Sequence, residues 1–104
     1  MRVTIFAVVL VAMVPVSCPC FAAETQIVMK NFDFSPMDVT IAAGDTVVWT
    51  NKDGEPHTVA SADGVFHSPA LDEGDSFRFT FDHPGVYKYI CSIHPKMRAT
   101  VTVK

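Results

Sequence analysis

Two kinds of patterning divide the chain. After Met1-Arg2, residues 3–16 form a nearly unbroken apolar run of 14 residues. From residue 26 onward, apolar and polar positions alternate in short runs separated by Gly, Pro, Asp and Asn. Period-2 alternation bounded by turn residues is the signature of half-buried strands. The pattern predicts strands over residues 26–32, 38–41, 46–51, 57–61, 75–81, 86–91 and 99–104. In the fifth of these, Phe77, Phe79 and Phe81 share one face. Ala43-Gly44-Asp45, Lys52-Asp53-Gly54-Glu55-Pro56 and His83-Pro84-Gly85 read as turns, and residues 62–74 as a looser segment. No window beyond residue 23 shows a helical period. Strands this short and this evenly spaced imply an all-β Greek-key sandwich or barrel of about seven to eight strands. Its core is expected to rest on Trp49, Phe32, Phe34, Phe77, Phe79, Phe81, Tyr87, Tyr89 and the Val and Ile positions.

The apolar start changes how the composition is read. A positive N-terminus, an apolar run too short to span a bilayer comfortably, and small residues up to Ala22-Ala23 are the layout of a secretory signal peptide. Cleavage after Ala22 places Cys20 at −3, whereas cleavage after Ala23 places the bulky Phe21 there. An uncleaved membrane anchor is one alternative. A lipoprotein signal with Cys18 as the lipidated residue is another, although Pro15-Val16-Ser17 lacks the usual Leu. The expected organisation is a removed signal over residues 1–22 and a single domain over residues 23–104, exported to a bacterial periplasm. The apolar fraction of 49% is therefore inflated by the signal. The mature part is large enough for one small domain with a thin core. It carries 7 basic residues against 11 acidic ones, a net charge of −4 with His neutral. No basic stripe is present, which argues against a nucleic-acid partner.

Cysteine usage then narrows the chemistry. With Cys18 and Cys20 in the signal, Cys91 is the only thiol of the mature chain. A single Cys in an oxidising compartment calls for intermolecular pairing, a reactive thiol or a metal. Its neighbours favour a metal: Cys91-Ser92-Ile93-His94-Pro95-Lys96-Met97 presents a thiolate, an imidazole and a thioether at spacing Cys-x2-His-x2-Met. Soft sulfur ligands with imidazole select copper, and two His, one Cys and a long axial Met make a blue-copper electron-transfer site. Taken singly, Cys91 reads as an inert core thiol, His94 as a solvated loop residue and Met97 as core filler. Their joint spacing at the end of a strand makes ligation the stronger reading. The missing His is expected to be His57, which follows Pro56 and so starts its strand from a stiffened backbone. His67 in the loose segment and His83 in a turn compete for the place but are expected to face solvent.

These motifs give the chain a recognisable kinship. Phe32-Asp33-Phe34-Ser35-Pro36, the run Gly44-Asp45-Thr46-Val47-Val48-Trp49-Thr50-Asn51, Pro56-His57-Thr58-Val59, Gly85-Val86-Tyr87 with Tyr89 and Cys91, and the Cys91-to-Met97 loop carry it. The mature chain resembles the small blue copper proteins of the plastocyanin/azurin superfamily, the cupredoxins. The short ligand loop makes it most similar to the amicyanin-type members. The resemblance implies a cupredoxin-like domain over residues 23–104 with one type 1 copper ion held by His57, Cys91, His94 and axial Met97. It implies a periplasmic carrier of single electrons by Cu(I)/Cu(II) cycling, not an enzyme. Redox partners of dehydrogenase or cytochrome c type would dock near His94, and methylamine dehydrogenase is a candidate donor. The carrier is expected to be a monomer without stable membrane insertion after processing. A copper trafficking or resistance protein on the same fold is the alternative. Oxidases and nitrite reductases of this kind need further copper sites and paired His-x-His elements, which this sequence lacks.

Three finer expectations come with the resemblance. Thr58 should stiffen the two ligand loops by hydrogen bonding. The N–H of Ile93, where similar proteins often have Pro, should bond the Cys91 sulfur and favour the reduced state. His94 should reach the surface through an apolar patch of Pro36, Met37, Pro95 and Val65, rimmed by Lys96 and Arg98. Arg98-Ala99 stands where many similar proteins have Gly after the Met, which alters the docking surface.

Overall fold

A computed structural model describes residues 22–104. The expected export signal over residues 1–22 lies, apart from Ala22, outside the described residues. Eight strands follow in order: β1 Glu24–Lys30, β2 Asp33–Ser35, β3 Asp38–Ile41, β4 Thr46–Asn51, β5 Ala60–Ser61, β6 Ser76–Thr80, β7 Gly85–Ile90 and β8 Arg98–Val103. Among the described residues there is no helix. The all-β sandwich expected from the alternation is what forms.

The strands make two four-stranded sheets, ordered β2-β1-β4-β6 and β3-β8-β7-β5. Each sheet is mixed, because β1 runs parallel to β4 and β3 parallel to β8 while the other pairs are antiparallel. Parallel neighbours need a crossover, so the chain passes between the sheets and buries its inner faces. The register follows the alternation. In β8, Ala99, Val101 and Val103 point inward while Arg98 is exposed. In β4 the inward positions extend to a continuous buried run, Val47-Val48-Trp49. Trp49 lies at the centre, fully buried, with ring centroids 5.6 Å from Phe66, 5.8 Å from Phe77 and 5.5 Å from Tyr89. It thereby joins the β4–β6 side to the β7 side through one side chain.

Two strand boundaries differ from expectation for a physical reason. The predicted strand over 26–32 ends instead at Lys30, because Asn31 and Phe32 adopt positive φ (54° and 60°) and turn the chain into β2. Two consecutive left-handed residues fit the tight two-residue loop of a β-hairpin. Consequently Phe32 is not a core residue: it is 48% exposed. Residues 57–59 join no continuous ladder: His57 makes an isolated bridge with Leu71 and the Val59 carbonyl accepts the Ser68 N–H (2.8 Å), so β5 is reduced to Ala60–Ser61.

The fold sets up one hairpin end in particular. Ile90 on β7 pairs with Arg98 on β8, so residues 91–97 form the loop that closes this hairpin. The loop emerges beside the turn that follows β4.

Candidate metal centre

Residues 91–97 are locked at both ends. The Cys91 N–H donates to the Met97 carbonyl (3.0 Å), and the Met97 N–H donates to the His94 carbonyl (2.9 Å). This places Cys91 and Met97 inward, both buried, while His94 between them stays half-exposed. One short loop thus carries a buried thiol, a buried thioether and an imidazole that reaches the surface.

His57 arrives from the other side of the sandwich. Buried Asn51, at the end of β4, organises the turn before it. Its amide donates to the carbonyls of Glu55 and Leu71 (2.8 Å each), and its side-chain oxygen accepts the Asp53 N–H (2.8 Å). His57 then exchanges two backbone bonds with Leu71 (3.0 and 2.7 Å). Its ring is fully buried, with Nδ1 3.7 Å from Cys91 Sγ and Nε2 2.8 Å from Asp53 Oδ2. Burial pushes the Asp53 carboxyl up, but the N–H groups of Phe32 and Asn31 and the His57 ring outweigh it and hold Asp53 below its ordinary value. An ionised carboxylate only accepts hydrogen bonds, so Nε2 carries a proton, and in the neutral ring Nδ1 offers its lone pair. Nδ1 therefore faces the sulfur, the nitrogen through which the neutral ring can ligate.

The two loops are tied across the site. Thr58 Oγ1 pairs with Ser92 Oγ (2.7 Å) and accepts the Ser92 N–H (2.8 Å), and the Thr58 N–H donates to Cys91 Sγ (3.3 Å). Thr58 thus stiffens both loops as expected. The sulfur bond corrects another expectation. Burial raises the Cys91 thiol, yet the Thr58 N–H, then the His94 N–H, the His57 ring and the Ile93 N–H together bring it below its ordinary value. Ile93 acts in the expected direction but ranks last of these. The sulfur's backbone hydrogen bond at bonding distance comes from Thr58. A thiol held towards thiolate is suited to a cation.

The four expected ligand positions are brought to one end of the sandwich. The His57 and His94 rings lie 5.2 Å apart, edge to face. As the side chains stand, no three His, Cys, Asp or Glu groups among the described residues converge as a closed ligand set. The close approach is between His57 and Cys91, with His94 beside His57 and Met97 buried at the far end of the same loop as Cys91. His67 and His83 are exposed and take no part.

The surface around His94 differs from expectation. A groove of about 400 Å³ is lined by Phe32, Ile93, His94, Pro95, Lys96 and Met97. Its apolar walls include Phe32 and Ile93, which replace the expected Pro36, Met37 and Val65. Met37 instead lines a separate groove with Asp38, Lys88 and Arg98. Sequence reasoning missed Asn51, Asp53 and Phe32 as parts of the site. Asn51 ends an apolar strand just before a turn, which is the one local signal that pointed to it.

Comparison with known proteins agrees with this architecture. Residues 3–103 match the family model for the cupredoxin-like domain. The chain is 35% identical to amicyanin-alpha of Methylorubrum extorquens over 80% of its length and 74% of the relative. It is 37% identical to a plastocyanin of Scenedesmus fuscus, over 68% of this chain and 86% of that one. The structure of a purple cupredoxin from Nitrosopumilus maritimus superposes with a TM-score of 0.71 at 38% identity, covering 77% of this chain and 99% of that one.

Proposed function

The chain belongs to the cupredoxin-like family, and from that premise we propose that it is an exported type 1 copper protein that carries single electrons between redox partners. The observation that carries the reading is the meeting of the buried Cys91 sulfur with Nδ1 of the buried His57, 3.7 Å apart. His57, Cys91, His94 and Met97 would hold the copper ion, the Met97 thioether being the weakest donor of the four. Bound there, copper supplies one-electron chemistry by cycling between its two oxidation states.

The chain's own residues account for the rest. The Thr58 N–H stabilises negative charge on the sulfur. The Thr58–Ser92 tie holds the ligand loops in one arrangement, so little needs to move when charge changes. Burial of Cys91, His57 and Met97 keeps water away. His94 alone of the four reaches the surface, and it opens into the apolar groove, which makes it the port for electrons. Lys96 at this groove of a net acidic chain favours an acidic docking face on a dehydrogenase or a cytochrome c type partner, while Arg98 lines the separate groove with Met37. The signal over residues 1–22 directs the carrier to the periplasm, where it acts as a monomer.

The test is a visible absorption spectrum after adding one equivalent of copper(II). An intense orange-red absorption band, bleached by ascorbate and absent in Cys91→Ala, is expected. A colourless or pale complex would overturn the reading.

A further inference from the structure

Asn31 and Phe32 form the two-residue turn between β1 and β2, both in the left-handed region. Asn tolerates this conformation, but a bulky residue there is a genuine outlier, and Gly is the usual choice for the second position. Here the second position holds a large apolar ring. Strain of this kind persists only where the surroundings over-determine it, and an observed outlier is a pointer to function.

Two observations show what holds the turn and what it does. The Asp53 carboxylate accepts the N–H of Asn31 at Oδ1 (2.7 Å) and the N–H of Phe32 at Oδ2 (3.0 Å), and the same Oδ2 accepts Nε2 of His57 (2.8 Å). One carboxylate therefore fixes both the strained turn and the imidazole. The Phe32 ring meets both imidazoles edge to face, with centroids 5.5 Å from His57 and 5.0 Å from His94. It also forms a wall of the groove at His94.

We propose that Asp53 and the Asn31–Phe32 turn form a clasp over the imidazole side of the metal centre. Asp53 is a positioning residue that fixes His57 with Nδ1 towards Cys91. Phe32 covers the two imidazoles and slows metal exchange. The strained backbone is retained because Gly at this position would leave the rings uncovered. The proposal rests on the copper reading above.

The test compares the copper(I)-loaded protein with Asp53→Ala, Asp53→Glu, Phe32→Gly and Phe32→Leu. Copper release to excess bathocuproine disulfonate is timed and thermal midpoints are recorded alongside. Loss of the partner of a ligand His typically weakens metal binding about 10–100-fold, and Asp53→Ala is expected to speed release on that scale. Asp53→Glu should recover part of the loss. Phe32→Gly relieves the left-handed backbone, so its thermal midpoint should hold or rise while release quickens roughly tenfold. That divergence is one a purely structural role would not produce. Phe32→Leu should stay near the wild-type rate. In the copper-free protein, nitrogen NMR should show His57 as a single Nε2–H tautomer that becomes mixed in Asp53→Ala. Should Asp53→Ala fail to fold, Phe32→Gly decides the matter: release at the wild-type rate overturns the clasp. A wild-type chain that takes up no copper overturns the metal reading and the clasp together. Wild-type copper uptake with unchanged release from the variants overturns the clasp alone.

Discussion

The backbone N–H of Thr58 donates to the sulfur of Cys91 at 3.3 Å, across 33 residues of chain. The bond joins the residue after one expected ligand to another expected ligand. It makes the two loops a single unit, and the Thr58 side chain reinforces it through Ser92.

Removing the Thr58 hydroxyl should cost stability while sparing the backbone bond to sulfur. Thr58→Val keeps the shape and the backbone N–H but removes Oγ1, the acceptor of the Ser92 N–H, together with its 3.9 Å contact to Cys91 Sγ. Ser92 is exposed, so water can take the place of the acceptor and the loss is that of an ordinary hydrogen bond, about 0.5–1.5 kcal/mol. Urea unfolding should show a loss of this size, with the reduction potential of the copper form little changed. A variant as stable as the wild type would mean the tie contributes nothing.

The Ile93 N–H should act on the potential, but weakly. It favours charge on the Cys91 sulfur as the last of the contributing groups. Electron density on sulfur is greater in the reduced form, so Ile93→Pro should lower the potential. The shift should stay below about 60 mV, the one-electron equivalent of tenfold. Protein-film voltammetry measures it directly, and an unchanged or raised potential would refute the assignment.

Tyr89 is expected to reward substitution. Its Oη is buried without a hydrogen-bond partner, and so is the neighbouring Trp49 Nε1. Burial pushes the Tyr89 phenol well above its ordinary value of 10.0 against the pull of the indole N–H, which makes no hydrogen bond to it. Removing an unsatisfied polar atom from a site of the same shape is near neutral or stabilising. Tyr89→Phe should therefore change stability by no more than about 1 kcal/mol at neutral pH. At high pH the two should diverge. A group whose folded pKa is raised contributes stability that is intact below the unfolded pKa and lost as pH rises towards the folded one. Wild-type stability should fall above about pH 10, where unfolded Tyr ionises, and Tyr89→Phe should fall less. Parallel alkaline profiles would show that Tyr89 is not the group responsible.

Lys96 should set the rate with anionic partners. It is exposed at the groove where His94 surfaces. Lys96→Glu should slow oxidation of the copper(I) protein by ferricyanide several-fold at 10 mM ionic strength, where the Debye length is about 30 Å. The difference should shrink at high salt. Stopped-flow rates that match at all salt concentrations would reduce Lys96 to a solvated charge.

The parts of the site that were legible in the sequence are local. Cys91, His94 and Met97 fall within seven residues on one hairpin loop. Their spacing can be read without knowing what surrounds them. The strands over residues 38–41 and 46–51 were equally plain, because period-2 alternation and flanking turn residues are written in neighbouring positions. The sandwich followed from their number and spacing. His57 was accessible by elimination among four His residues and by its stiff approach after Pro56.

Tertiary structure decided what depends on groups distant along the chain. The Asn31–Phe32 turn looked like strand because Phe32 fits the alternation. Asp53, 21 and 22 residues away, accepts both turn amides in the left-handed conformation. The donor to the Cys91 sulfur was expected from the adjacent loop at Ile93, yet it comes from Thr58 on the opposite loop. Phe32 was assigned to the core by its hydrophobicity, but the turn carries it over the two imidazoles. The sequence by itself determined which donor atoms exist and how the local chain alternates. Folding determined which hydrogen-bond partner each buried group meets, because that choice is made by elements that approach only once the two sheets have packed.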